Sequence, residues 1–273
     1  MASPLSTARA VVLAVDAPSA RRRTVRIGGP ELAPILRDHR PAAAVRVDLP
    51  GPNGTPRHRV YTLCEVDPVS CSAVLDVIVD SGGPGAQWAS NAAAGDRLVV
   101  HGPRFGYAVD PDAANLVLIG DDTAQPAIHE ICRTLPAGAS AQVLHLTSHP
   151  DEYGLPPNAM VAEQLCDDVD GVLAALDRLG PFPAGTRFWC AGEVALVHGC
   201  RRRIRVDLGV ARAHATFAAY WRRGLRLEQT APLEEAERRL ISDAGIELDD
   251  VHDHGDIEPL VDLPLGGAAR SPL

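Results

Sequence analysis

The hydrophobic period of this chain changes near residue 113, and that change limits the folds open to it more than any motif does. Before it, residues 8–107 carry six short β-branched segments: RAVVLAVDA from Arg9, RRTVRIGG from Arg22, AAAVRVDLP from Ala42, RVYTLCEV from Arg59, AVLDVIVD from Ala73 and DRLVVHGP from Asp96. Gly, Pro and Asp separate them, a spacing that predicts a small antiparallel barrel. After it, NLVLIG (Asn115–Gly120) is a continuous apolar run, as a strand buried on both faces requires. DDTAQPAIHEICRTL then reads as a helix opened by an Asp or Thr cap. AQVLHLTSH is a second strand, VDGVLAALDRLG a helix, TRFWCAGE a third strand, VALVHGCRRRIRVDLG a helix, and AHATFAAYWRRG ends the module. Alternation of strand and helix predicts a parallel sheet. The expected domains are residues 1–110 (barrel), 111–224 (α/β) and a tail over 225–273. In that tail LEEAERRLISDAG is an amphipathic helix, followed by an acidic and then Pro/Gly-rich end.

Composition excludes several classes. All 26 basic residues are arginine and the net charge is -9, so nonspecific nucleic-acid binding and Schiff-base lysine chemistry are not expected. A local arginine cluster can still hold an anionic small ligand. No apolar run reaches about 18 residues and no signal segment is evident at the N-terminus, so a cytoplasmic chain with no membrane span is expected. The six cysteines show no C-x-x-C spacing, so free thiols are expected and structural zinc is not. His252-Asp253-His254 reads as a solvated tail rather than a metal site, Arg201–Arg205 as a solvated helix face, and His145 and His149 as edge residues at a strand end. His101 and His129 fall near the expected cleft.

Two stretches carry candidate chemistry. In Arg59-Val60-Tyr61-Thr62, strand alternation puts Arg59 and Tyr61 on one face. The arginine can pair with phosphate, the ring can pack on an isoalloxazine, and Thr62 can hydrogen-bond a flavin edge. An ordinary half-buried strand fits these four residues equally well. In SGGPGAQWAS (Ser81–Ser90), a Gly-Gly-Pro turn enters a helix near Ala86 with Trp88 in its first turn, where backbone N–H groups can cradle a pyrophosphate. A plain loop with a core tryptophan is the simpler reading. Asp121 and Asp122 make the next helix start a poor phosphate binder and better caps.

Arg-x-Tyr-Thr, Gly-Pro-x-x-x-Trp, GDRLVVHGP, LIGDDTAQPAI, WCAGE and YWRRG follow one another in an order that resembles the siderophore-interacting protein family, flavin-dependent ferric-siderophore reductases related to ferredoxin–NADP reductases. The resemblance runs from about Ala8 to Gly224. It implies a ferredoxin-reductase-like fold, a Greek-key barrel followed by a parallel-sheet nicotinamide-type domain. It further implies bound FAD, NAD(P)H or a ferredoxin as electron donor, and a ferric siderophore as substrate. By it, Arg59, Tyr61, Thr62, Gly83, Pro84, Ala86 and Trp88 hold the flavin, and Asp122 and Thr123 lie near the flavin or nicotinamide face. Gly192 and Glu193 belong to the nicotinamide-side loop, and Tyr220, Trp221 and Arg222 close the site. Tyr61, Thr62, Asp122 and Trp221 are the candidates for the reacting centre, and Arg104, Arg222 and Arg223 for binding an anionic chelate.

The departures fall mainly in the flavin half. Cys64 stands where the pattern has a second arginine, the His-Gly pair before Gly-Pro is missing, Gly85 replaces alanine, and Ala219 replaces glycine. Losing one charged hydrogen bond of about 1.5–3 kcal/mol lowers flavin affinity about ten- to a hundredfold. Two readings therefore stand: a reductase whose FAD is held weakly, or a repurposed scaffold without flavin. The second would bind a small metabolite or catalyse a non-redox step, such as a cyclisation in secondary metabolism.

Overall fold

The computed structural model describes residues 6–37, 39–51, 56–79, 82–107, 113–150, 154–155 and 160–223. The tail expectations over 225–273, including His252 and His254, lie outside the described residues.

Six strands close the N-terminal barrel: β1 (Ser6–Ser19), β2 (Arg22–Gly28), β3 (Ala43–Leu49), β4 (Arg57–Asp67), β5 (Ser72–Ile78) and β6 (Arg97–Phe105). Their order around the barrel is β1-β2-β5-β4-β3-β6, with every pairing antiparallel. Period-2 alternation decides what is inside. Ala43, Val45, Val47 and Leu49 of β3 are buried while Ala44, Arg46 and Asp48 between them are partly open. Val25, Ile27, Leu63, Leu75 and Val100 join the interior, and Leu32, Ile35 and Leu36 from the short α1 (Ala33–Leu36) and the turn before it close one end. Each such side chain contributes about 1.5–3 kcal/mol by leaving water. A second helix, α2 (Pro84–Asn91), lies between β5 and β6 in sequence and buries Ala86 and Ala89 against the barrel.

The second unit is a parallel sheet in the order β11-β10-β7-β8-β9, formed by β7 (Asn115–Asp121), β8 (Ser140–Leu146), β9 (Val161–Cys166), β10 (Arg187–Glu193) and β11 (Ala215–Trp221). The apolar run of β7 is buried on both faces, as its composition predicts. Leu116 and Leu118 pack with Ile128 and Ile131 of α3 (Gln125–Arg133). Val117 and Ile119 pack on the other side with Leu176 of α4 (Val169–Leu179) and Leu196 of α5 (Val194–Arg201). The predicted helix over 194–209 is α-helical only to Arg201 and then widens to a π-helix over Arg202–Asp207. Its arginines are not simply solvated: Arg203 pairs with Asp177 and Asp207, and Arg205 donates to the Val210 carbonyl. Among the described residues no helix is long and apolar enough to cross a membrane.

The barrel and the sheet meet through α3 and β4. Trp189 of β10, fully buried, donates its indole N–H to the carbonyl of Gly106, which follows β6, at 2.8 Å. The register of β4 slips between Cys64 and Asp67, and Glu65 there has φ 45°. This bulge bends β4 where α3 packs on it.

Two strands, β9 and β11, were not expected as strands. Alternation is blurred in VAEQLC, with Glu163 and Gln164 in its middle, and pairing to β8 makes it a strand. The consequence is a correction. Because β9 covers β8, His145 is not an edge residue; its side chain is 1% exposed.

Candidate functional site

The residues singled out from the sequence form two groups. The first lies where β4 faces α2. Arg59 and Tyr61 share one face of the strand, and both reach the first turn of α2: the Tyr61 hydroxyl and the Arg59 Cγ flank Gly85. The rings of Tyr61 and Trp88 stand 5.9 Å apart at 32°. Burial pushes the Tyr61 phenol well above its ordinary pKa, against the nearby Arg59 charge, so it is neutral at physiological pH. The helix starts at Pro84, not at Ala86. Gly83 is its N-cap, in extended conformation, with no side-chain cap and no acidic residue in the first turn. Gly82 before it takes φ +61°, a left-handed conformation that favours glycine, and faces open space. An uncapped helix start beside an arginine suits an anion.

Thr62, the other member of the motif, is on the opposite face of β4 and is buried. Cys64 shares that face. Its thiol lies 3.9 Å from the Pro126 carbonyl at the start of α3, and burial together with neighbouring Glu130 and Asp76 pushes its pKa far up. Cys64 therefore supplies no charge where the family pattern has a cation.

The second group gathers at the carboxyl ends of β7, β10 and β11. Asp121 is its hub, accepting from the Thr123 backbone N–H at 2.9 Å, the Thr123 hydroxyl, the Glu193 N–H at 2.7 Å and the Trp221 indole at 2.8 Å. Burial pushes the carboxyl up and these donors pull it back, with a net rise. Gly192 has φ +135°, and a Cβ there would run into the Asp121 carboxylate, so only glycine fits. Glu193 caps α5 through the Ala195 N–H at 2.6 Å and accepts the Arg223 N–H at 3.0 Å. Thus Thr123, Gly192, Glu193 and Trp221 meet at a carboxylate the sequence marks only as a cap. Tyr220 and Trp221 remain 38% and 40% exposed.

Asp122 does not cap. It accepts from buried His145 at 3.0 Å and faces Arg21 of the β1–β2 turn at 3.5 Å, so it ties the sheet to the barrel. Although burial alone would raise it, hydrogen bonds from His145 and Thr147 and the charges of His145 and Arg21 hold its carboxyl below the usual range. His145 has Glu163 on its other side, 3.2 Å from Nδ1. Burial opposes its charge, yet the two carboxylates raise its pKa overall. Sequence reading missed this cluster because Glu163 lies on the unexpected strand and Arg21 is remote in the chain.

The side chains of the remaining candidates bond to neither group among the described residues, although the Arg223 backbone N–H joins the second group. Arg104 is exposed on β6, across β3 from Thr62 (Thr62 opposite Ala44, Ala44 opposite Arg104). Arg222 and Arg223 are exposed just beyond β11. His101 lies on the outer barrel surface, bonded to Asp48 at 2.9 Å and Thr7 at 3.0 Å, and Asp48 also holds His58. Among the described residues no group of three or more His, Cys, Asp or Glu is arranged to hold a metal.

Residues 21–107 match the family model of the siderophore-interacting FAD-binding domain, and residues 113–224 that of the siderophore-interacting protein. Ferric vibriobactin reductase ViuB of Vibrio cholerae is 31% identical over 183 residues, covering 63% of this chain and 67% of that protein. The NADPH-dependent ferric-chelate reductase of Escherichia coli is 31% identical over 173 residues, 61% of this chain and 66% of that protein. Among solved structures, a siderophore-interacting protein from Acinetobacter baumannii superposes with a TM-score of 0.76 at 22% identity, covering 86% of this chain and 98% of that one, a likeness of fold. The two matched domains, in this order and over most of the described residues, place the chain in the siderophore-interacting protein family.

Proposed function

We propose that this protein is a flavin-dependent ferric-chelate reductase that frees iron from a siderophore. The observation that carries the reading is the convergence of Arg59 and Tyr61 on the uncapped first turn of α2, within the stretch that matches an FAD-binding domain. These residues fit FAD. Arg59 and the N–H groups of the Gly83–Ala86 turn would hold its phosphates and Tyr61 and Trp88 would pack on it, while Thr62, expected at a ring edge, faces the other side of β4. What FAD would supply when bound is storage for two electrons that leave one at a time, so that one hydride from NAD(P)H, with release of its proton, or two single electrons delivered in turn by ferredoxin, would reduce two Fe(III) to two Fe(II). Fe(II) binds hard oxygen ligands less tightly and leaves the chelate. The chain's own part is to orient and to shield. Asp121 fixes the Gly192–Glu193 turn and Trp221 in one arrangement, and Arg104, Arg222 and Arg223 offer positive charge to an anionic chelate. The donor follows by likeness to the NADPH-dependent relative, with a ferredoxin as the alternative.

Cys64 favours a second reading. An uncharged, half-buried thiol in place of a cation weakens the hold on flavin and suits a scaffold reused for a metabolite or a non-redox step. The absorbance spectrum of purified protein, after addition of FAD and desalting, separates the two. Retained flavin bands, then anaerobic bleaching by NADPH, NADH or reduced ferredoxin and recovery on adding a ferric siderophore, support the reductase. A protein that retains no FAD rejects it in favour of the scaffold.

A further inference from the structure

Gly85 is the second residue of α2 and does not have a positive φ, so the backbone does not call for glycine. Glycine inside a helix costs about a two- to fivefold loss in the folding equilibrium against alanine. What calls for it is Tyr61. The phenol hydroxyl fills the space a Cβ at position 85 would take, with the Tyr61 Cζ 3.5 Å and the Arg59 Cγ 3.7 Å from the same point. These three atoms, the nearest outside α2 itself, are all side-chain atoms of β4. No hydrogen bond of the Tyr61 hydroxyl is found among the described residues, so packing alone keeps it there.

We propose that Gly85 is an affinity-determining residue: its missing side chain lets the Tyr61 hydroxyl seat against the first turn of α2, where it competes with the flavin phosphate. This rests on the reading above that α2 receives that phosphate. The ring of Tyr61 still serves the flavin; only its outer end is in the way. Gly85 acts through Tyr61 and is a positioning residue.

Two variants and their combination test it. Tyr61→Phe removes the oxygen and keeps the ring. Gly85→Ala adds the methyl that expels it and suits the helix. FAD titration by calorimetry on the full chain is expected to show each single variant binding about two- to tenfold more tightly, the worth of one modest polar contact. The double variant should bind no more tightly than the better single one. Glycine chosen merely for helix entry predicts instead that the two effects add, or that neither variant gains affinity, and either result overturns the proposal. Thermal melting is measured alongside. If Gly85→Ala fails to fold, Tyr61→Phe decides alone, and unchanged or weaker FAD binding rejects the idea. Should wild type bind FAD while the cycle fails, only this inference falls. If none of the four proteins binds FAD, the flavin reading falls with it.

Discussion

The helix starts of the two units are built in opposite ways. In the α/β unit, Asp121 accepts from the Thr123 N–H in the turn leading to α3, Asp168 from the Gly171 N–H at the start of α4, and Glu193 from the Ala195 N–H at the start of α5. Each satisfies donors that a helix start leaves open and places a negative charge at the positive end of the dipole. In the barrel, α2 has Gly83 in that place, no side-chain cap and no acid in the first turn. The difference teaches where an anion can go. The α/β unit spends its carboxylates on holding strand ends together, and the barrel keeps one helix start open beside Arg59. Glycine at that position costs only about a few tenths of a kcal/mol against Ser, Thr or Asp, so the start stays open with little loss of stability.

The comparison can be broken at its most closed point first. Asp121→Ala should destabilise the chain by about 1–3 kcal/mol, since the partly buried donors of Thr123, Glu193 and Trp221 lose their shared buried acceptor. Urea unfolding measures it, and a loss under about 1 kcal/mol would show that the hub is not built as described. The open end is probed next. Arg59→Ala should weaken FAD binding about ten- to a hundredfold, the worth of a charged hydrogen bond, while leaving the unfolding midpoint nearly unchanged. Equal affinity in variant and wild type would move the phosphate away from α2.

The smallest effect lies in the clasp between the units. His145 has its pKa raised from 6.5 in the fold, so its contribution is full below the unfolded value and is lost as pH rises through the folded one. Asp122 has its pKa lowered from 3.8, so its contribution is lost instead as pH falls through the folded value. Arg21 and Glu163, the other charged groups facing them, are the partners already described. Wild type should therefore lose about 2–4 °C of Tm relative to His145→Gln as pH climbs from about 6 into the alkaline range, for a change of about 1 kcal/mol. Parallel Tm curves for the two proteins would mean His145 is not charged in the fold.

Much of this was legible in the chain itself. The barrel segments and the doubly buried β7 follow from period and β-branching, which depend on neighbours in sequence. The pairing of Arg59 with Tyr61 on one face follows from strand alternation alone. The α2 start was misplaced by two residues because proline at the first helical position reads equally as a turn. β9 escaped notice because polar residues in its middle blur alternation, and with it went the setting of His145. Thr62 adjoins Tyr61 in sequence, yet strand alternation turns it to the opposite face of β4, toward the seam where Cys64 meets α3.

By itself, then, the sequence determined the six barrel segments, the alternation of strand and helix that follows them, the two-unit plan and the residue types available for an anionic cofactor. All of these rest on short-range sterics and on which side chains leave water. Only the tertiary structure decided that Asp121 gathers Thr123, Glu193 and Trp221, that Asp122 reaches back about a hundred residues to Arg21, and that the Tyr61 hydroxyl fills the space beside Gly85. Those are contacts between segments far apart in the chain, and sheet order and domain docking bring them within hydrogen-bonding or van der Waals reach.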